Sequence, residues 1–228
     1  MKLLSTWRVP RREHRFGIGP QEALWLEWLA LAGVLGFATW LLGLNGVWTL
    51  LLQSDPTGIS LVIIVVFAVA TCWCGARTRE LEREQRAWRT VGRAGQGWGA
   101  EYLAALSQPH AEAAALDVLL ERTHGPHATA WWVNGLQLKL GLLGKVIGFS
   151  ILALTIGRTQ NFDAAQSQEL LRSLTAGLGV ALLTTMVGLV GNILLGLQLT
   201  RLDRYADALV AEFQRAGLSL SISQPAAE

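Results

Sequence analysis

Charge is scarce in this sequence. Only 16% of its 228 residues are Asp, Glu, Lys or Arg, while 51% are hydrophobic, and the mean hydropathy is +0.35. A soluble domain of this size carries more charge, so the composition points to the membrane class. There are two cysteines, Cys72 and Cys74. No second ligand pair has matching spacing, so Cys72-Trp-Cys74 reads as small buried apolar residues rather than a redox or metal half-site. A nucleophile–base pair, a phosphate loop and a metal signature are all missing, which argues against an enzyme and leaves no call for a cofactor. The net charge of +2 reflects topology and gives no separate support for nucleic-acid binding.

What is present is four apolar blocks, Ala23–Leu44, Ile59–Gly75, Leu138–Gly157 and Leu170–Leu199. At about 1.5 Å per residue each spans or nearly spans a hydrocarbon core of roughly 30 Å. No proline interrupts them, so the broken helices of a small-molecule transporter are not signalled. The expected fold is all-α, a polytopic membrane bundle of four transmembrane helices with long cytoplasmic helical extensions.

Basic residues set the expected orientation, because positively charged flanks resist translocation. The leader holds Lys2, Arg8, Arg11, Arg12 and Arg15, whereas Asn45–Gly58 has no Lys or Arg. Arg77, Arg79, Arg83, Arg86, Arg89 and Arg93 follow the second block, and Arg201 and Arg204 follow the fourth. Both termini and the middle segment are therefore expected in the cytoplasm, with two tight hairpins facing outward. The first block is too long for the core of an export signal, and no cleavage site follows it. Trp25, Trp28, Trp48 and Trp73 fall near span ends, where indole rings favour the headgroup level.

The chain divides into a basic leader (1–22), a first transmembrane hairpin (23–75), a cytoplasmic helical segment (76–137), a second hairpin with a helical extension (138–218) and a disordered tail (219–228). Alternating charges from Arg77 to Arg86 extend span two into water, until Gly92, Gly95, Gly97 and Gly99 break the helix. Ala115, Leu116, Leu119 and Leu120 mark a second amphipathic run over Ala111–Arg122. His124-Gly-Pro-His127 then reads as a turn by composition. Asp163-Ala-Ala-Gln166 fits a capping box for the last helix. Leu202, Tyr205, Leu209 and Phe213 continue that helix's stripe beyond the membrane.

Small and hydroxylated residues concentrate in the second hairpin. Gly141, Gly144 and Gly148 share one face of span three, and Gly177, Ala181, Thr185, Gly188, Asn192 and Gly196 share one of span four. Small residues let membrane helices approach closely, which explains the glycines as glue. Thr184, Thr185, Asn192 and Gln198 are less well explained, because polar groups are costly against lipid and need partners. Spans three and four contain no Asp or Glu, and threonine does not titrate near neutrality. If the chain conducts protons, the carboxylate must come from another polypeptide.

Gly141-Leu-Leu-Gly-Lys-Val-Ile-Gly148, followed by Ala181-Leu-Leu-Thr-Thr-Met-Val-Gly-Leu189, resembles the paired signatures of the MotA/TolQ/ExbB proton-channel family. The resemblance covers about Leu138–Asp203, and the extra amino-terminal hairpin is more similar to MotA than to three-span TolQ and ExbB. It implies a homopentamer in the lipid bilayer around a dimer of a single-span partner similar to MotB, TolR or ExbD, whose membrane Asp supplies the missing carboxylate. The implied ion is H+, less readily Na+, and ion flow would drive rotation and work on the envelope. Thr185 falls on the family's channel threonine; Thr184, Thr155, Asn192 and Lys145 are the other candidate ion-path residues.

Lys145 departs from the family pattern, which has threonine there. Three readings stay open: the amine snorkels to the cytoplasmic interface, pairs with the partner's Asp, or joins the proton path with a depressed pKa. A fixed cation beside the route disfavours sodium. The alternative to a channel is a non-conducting structural or scaffolding subunit.

Overall fold

A computed structural model describes residues 24–55, 57–91, 95–108, 110–158 and 164–223. Among these residues six helices follow in order: α1 Leu24–Leu44, α2 Val47–Ser54, α3 Ile59–Val91, α4 Trp98–Leu106, α5 Glu112–Arg158 and α6 Ala164–Ser223. No strand occurs among the described residues. α1, α3, α5 and α6 are long and apolar enough to cross a membrane, so the chain is an all-α, multi-pass bundle. The basic leader, Gly92, Asp163 of the expected capping box and residues 224–228 lie outside the described residues.

Helix length is the first finding. At about 1.5 Å per residue, α5 is roughly 70 Å long and α6 roughly 90 Å, two to three times a hydrocarbon core. Their apolar halves pair along one seam and their charged halves continue the pairing, with α3 packed against both. The charged half forms a polar end whose core is Leu81, Leu119, Leu202, Ala206, Leu209, Val210 and Phe213, flanked by Trp88, Trp98, Tyr102 and Tyr205. The stripe expected at Leu202, Tyr205, Leu209 and Phe213 thus becomes the centre of this end. From the other stripe Ala115 and Leu119 are buried, but Leu120 is exposed.

The expected turn at His124–His127 does not exist. Pro126 lies inside α5, which runs unbroken from the amphipathic run into span three. Proline has no N–H and its ring crowds the carbonyl four residues back, so the Arg122 carbonyl loses its helix donor. Arg77 supplies the replacement. Its guanidinium, buried at the side of α3, donates to the carbonyl oxygens of Arg122 and, at 3.1 Å, Thr123, and it pairs with Glu80 at 2.5 Å. Composition alone cannot reveal a donor that arrives from a residue forty-five positions away.

Three smaller differences follow the same logic. The segment Asn45–Gly58 contains the short helix α2, whose Leu51 is buried. Asp55 then accepts hydrogen bonds from the N–H groups of Thr57, Gly58 and Ser60, capping α3. Burial opposes its charge, yet the hydrogen bonds from Thr57 and Ser60 prevail and hold its pKa below the ordinary carboxylate value. Trp28 is more than an interfacial anchor: a Cβ on Gly75 would lie 2.4 Å from its ring, so glycine makes the notch that receives it. Finally, α6 continues to Ser223, so the segment read as a tail begins as helix.

Candidate functional site at the seam of the second hairpin

The glycines of span three face α6. A Cβ on Gly148 would lie 2.9 Å from the backbone nitrogen of Ala181 and from the Gly177 oxygen, and one on Gly188 would lie 2.8 Å from the Gln137 oxygen. At these positions backbone packs on backbone, the contact that dispersion rewards where lipid removes any hydrophobic drive. Gly144 serves differently. It opens a notch for Thr184, whose Oγ1 would stand 2.5 Å from a Cβ there.

The seam does not follow the face expected from sequence. Its buried α6 positions are Gly177, Ala181, Thr184, Gly188, Gly191 and Leu195, steps of four and three residues that repeat every seven. This heptad keeps one side toward a supercoiling neighbour. Thr185, Asn192 and Gly196 flank it, each half-buried. On α5 the matching row is Asn134, Gln137, Gly141, Gly144 and Gly148, all buried. Counting only small residues hid Asn134 and Gln137, because their spacing, not their size, places them in the row.

The two threonines consequently differ. Thr184 is fully buried and its hydroxyl donates back to the Val180 oxygen at 2.8 Å. Thr185 donates to the Ala181 oxygen at 2.8 Å and lies 3.3 Å from the Gly141 oxygen across the seam. Asn192 donates to the Asn134 oxygen at 2.9 Å. Lys145 does not face α6. It is exposed, with Nζ 5.9 Å from the ring centroid of Phe149 one turn on. The Thr155 side chain lies outside the described residues.

A polar layer crosses the bundle nearer the charged end. Gln198 of α6 donates to Thr71 of α3 at 3.3 Å, and Gln137 is fully buried with neither amide atom partnered among the described residues. Gly191 makes its room, since a Cβ there would lie 2.2 Å from Gln137 Oε1. A buried amide without a partner costs about 1–3 kcal/mol.

Beyond this layer the histidines set aside as a loop join α5 to α6. Nδ1 of the buried His127 is 2.7 Å from Asp203 Oδ1, and Trp131 Nε1 donates to Oδ2 of the same carboxylate at 2.8 Å. His124 Nε2 lies 3.0 Å from Asp207 Oδ1. The carboxylates that hold these histidines are about eighty residues away in sequence, beyond the reach of a local pattern. Among the described residues, no group of three or more His, Cys, Asp or Glu could hold a metal ion.

Comparison of the chain with protein-family models, curated proteins and solved structures finds no match.

Proposed function

We propose that this chain is the channel-forming subunit of a proton-driven, stator-like motor of a bacterial inner membrane, with both termini in the cytoplasm. In this reading it works as a homopentamer around a single-span dimer that resembles MotB, TolR or ExbD and brings a membrane Asp. The observation that carries the reading is the meeting of the two signature segments. Separated by about forty residues in sequence, they lie face to face, with Gly141 against Thr185 and Gly188, and Gly148 against Ala181.

Two further features support it. Thr185, unlike Thr184, is half-buried at the edge of the seam, where a neighbouring subunit can reach it. Lys145 stands outward from the hairpin, and a lysine near the middle of a span costs about 2.5–3.5 kcal/mol unless it finds a counter-ion or water. A partner carboxylate provides that counter-ion, and a fixed positive charge beside the route disfavours a simple sodium path.

The test uses the full chain co-expressed with a single-span protein encoded beside it and reconstituted into pyranine-loaded liposomes. Thr185→Ala is expected to leave the complex intact on size exclusion while proton uptake falls to background. Uptake equal to wild type would sink the assigned role. The scaffold reading rests on Thr184, whose hydroxyl is spent inside its own helix, and Lys145→Thr separates the two. A lysine that takes part in conduction loses flux on replacement; a lysine that blocks a silent channel releases it.

A further inference from the structure

We propose that His127 and Asp203 form a proton-operated clasp between the polar halves of α5 and α6, closed while His127 is neutral and released when it takes up a second proton. The proposal concerns the polar end alone and does not depend on ion conduction through the spans.

The clasp is built from a tautomer. Asp203 accepts at Oδ1 from Nδ1 of His127, so the neutral ring carries its one proton there and presents Nε2 as a bare lone pair. Nε2 is sealed from solvent and has no hydrogen-bond partner among the described residues. The side chain is 3% exposed, its ring lodged at right angles to Trp73 at 6.2 Å. Neutral imidazole fits this site better: its single donor is used, and an unpartnered acceptor costs less there than a buried cation with an unpartnered N–H. Imidazolium does not fit, because its second N–H would be buried without an acceptor.

The charges around the ring come from three helices. On α6, Asp203 favours the cation, but it is 30% exposed at its side chain, so water screens its pull. On α3, the Arg77 guanidinium opposes a second positive charge, and the buried Cys74 thiol lies near Asp203. On α5, His124 opposes it as well, with its ring 5.8 Å away. Asp207 lies beyond, paired to His124 and largely exposed. Burial leads this balance and, with Arg77 and His124, lowers the pKa of His127 below the ordinary histidine value despite Asp203.

His124 sits half-buried at the rim. Its Nε2 is committed to Asp207, and its Nδ1 lies 2.8 Å from Thr123 Oγ1. That hydroxyl has one proton, and Leu119 O also lies 2.8 Å from it.

The segment that would move is already weakened. Pro126 removes one helix hydrogen bond at this turn, and the freed Arg122 carbonyl, together with that of Thr123, is held from outside by Arg77. The turn 122–127 thus relies in part on holds from α3 and α6. If His127 must turn outward to solvate Nε2–H, it leaves Asp203 and removes one of those outside holds.

The sign of the pH effect follows from the lowered pKa. Above about pH 6.5, the ordinary histidine value, His127 is neutral in closed and open forms alike, and the clasp has its full stability. As pH falls below that value, the open form takes up a proton that the closed form refuses until its own lower pKa is reached. Closure weakens across this interval, by up to about tenfold in the opening constant per pH unit.

The experiment is hydrogen–deuterium exchange on the full chain in detergent micelles at pH 8 and pH 5.5, corrected for the intrinsic exchange rate. Peptides covering 120–131 and 200–207 are expected to open several-fold more at pH 5.5, while peptides around Gly141–Gly148 do not change. His127→Asn keeps a donor near the Nδ1 position but cannot take a proton, so both peptides should stay closed at both pH values. An equal acid response in that variant, or none in the wild type, overturns the clasp. If His127→Asn fails to fold, ¹⁵N-histidine NMR of the wild type and of Asp203→Asn decides. The clasp requires one ring that stays an Nδ1–H tautomer below the midpoint of the exposed histidines and drops further in Asp203→Asn. A ring that titrates with the exposed ones refutes it.

Discussion

The two halves of the α5–α6 pair hold together by opposite means. In the apolar half the contact is made by what is missing: side chains are cut back to hydrogen at Gly141, Gly148 and Gly188 so that backbones touch. In the polar half it is made by large groups, with Phe213 fully buried against the ring of Trp88 at 5.0 Å. Lipid is as apolar as leucine, so a bulky residue gains little by leaving it and close approach is the remaining route to attraction. Water reverses this, because burying a large aromatic surface is itself the driving force. One helix pair thus obeys two sets of rules along its length, and substitutions should reveal where one gives way to the other.

The largest effect is expected in the polar half. Phe213→Ala leaves a cavity beside Trp88 and Gly99 and should cost about 3–5 kcal/mol, read as a lowered midpoint when the protein is unfolded by SDS in mixed micelles. A cost below about 1 kcal/mol would mean that this end is not held by its apolar core. Next comes the repair at Pro126. Arg77→Ala strands the Arg122 carbonyl and should cost about 1–3 kcal/mol. Combining it with Pro126→Ala restores a backbone donor, so the double variant should recover part of that loss in a double-mutant cycle; strict additivity would remove the assigned role of Arg77.

In the apolar half, Gly148→Ala forces a methyl against backbone that cannot yield and should cost about 1–3 kcal/mol. Gly135→Ala, thirteen residues earlier in the same helix, meets nothing within 4 Å and should stabilise by about 0.5–1 kcal/mol through helix propensity alone. The same chemical change with opposite signs would sharpen the distinction. Equal effects would erase it.

Much of the architecture was legible because it depends on local pattern. Four apolar runs of sufficient length give four long helices, and the charged continuation of α3 follows from helical charge spacing. The stripe from Leu202 to Phe213 announced the polar core. The register of the seam was harder. Thr184 and Thr185 are adjacent and chemically identical, and only the heptad through Gly191 and Leu195 shows which one is buried. The joints at the polar end were out of reach, since each depends on a distant residue: Arg77 for the carbonyl freed by Pro126, and Asp203 and Asp207 for the histidines. A proline beside glycine and histidine signals a turn until something across the bundle supplies what the backbone has lost.

That repaired proline separates the mechanical properties of the two long helices. α6 has no proline over its 60 residues, so it is a stiff rod, and twisting or tilting one end carries to the other. α5 has one compliant joint, at Pro126, whose stiffness is lent by a side chain of α3. Bending imposed along the pair from the membrane would concentrate at that joint, while α6, the stiffer of the two, would carry the larger share of the load to the polar end.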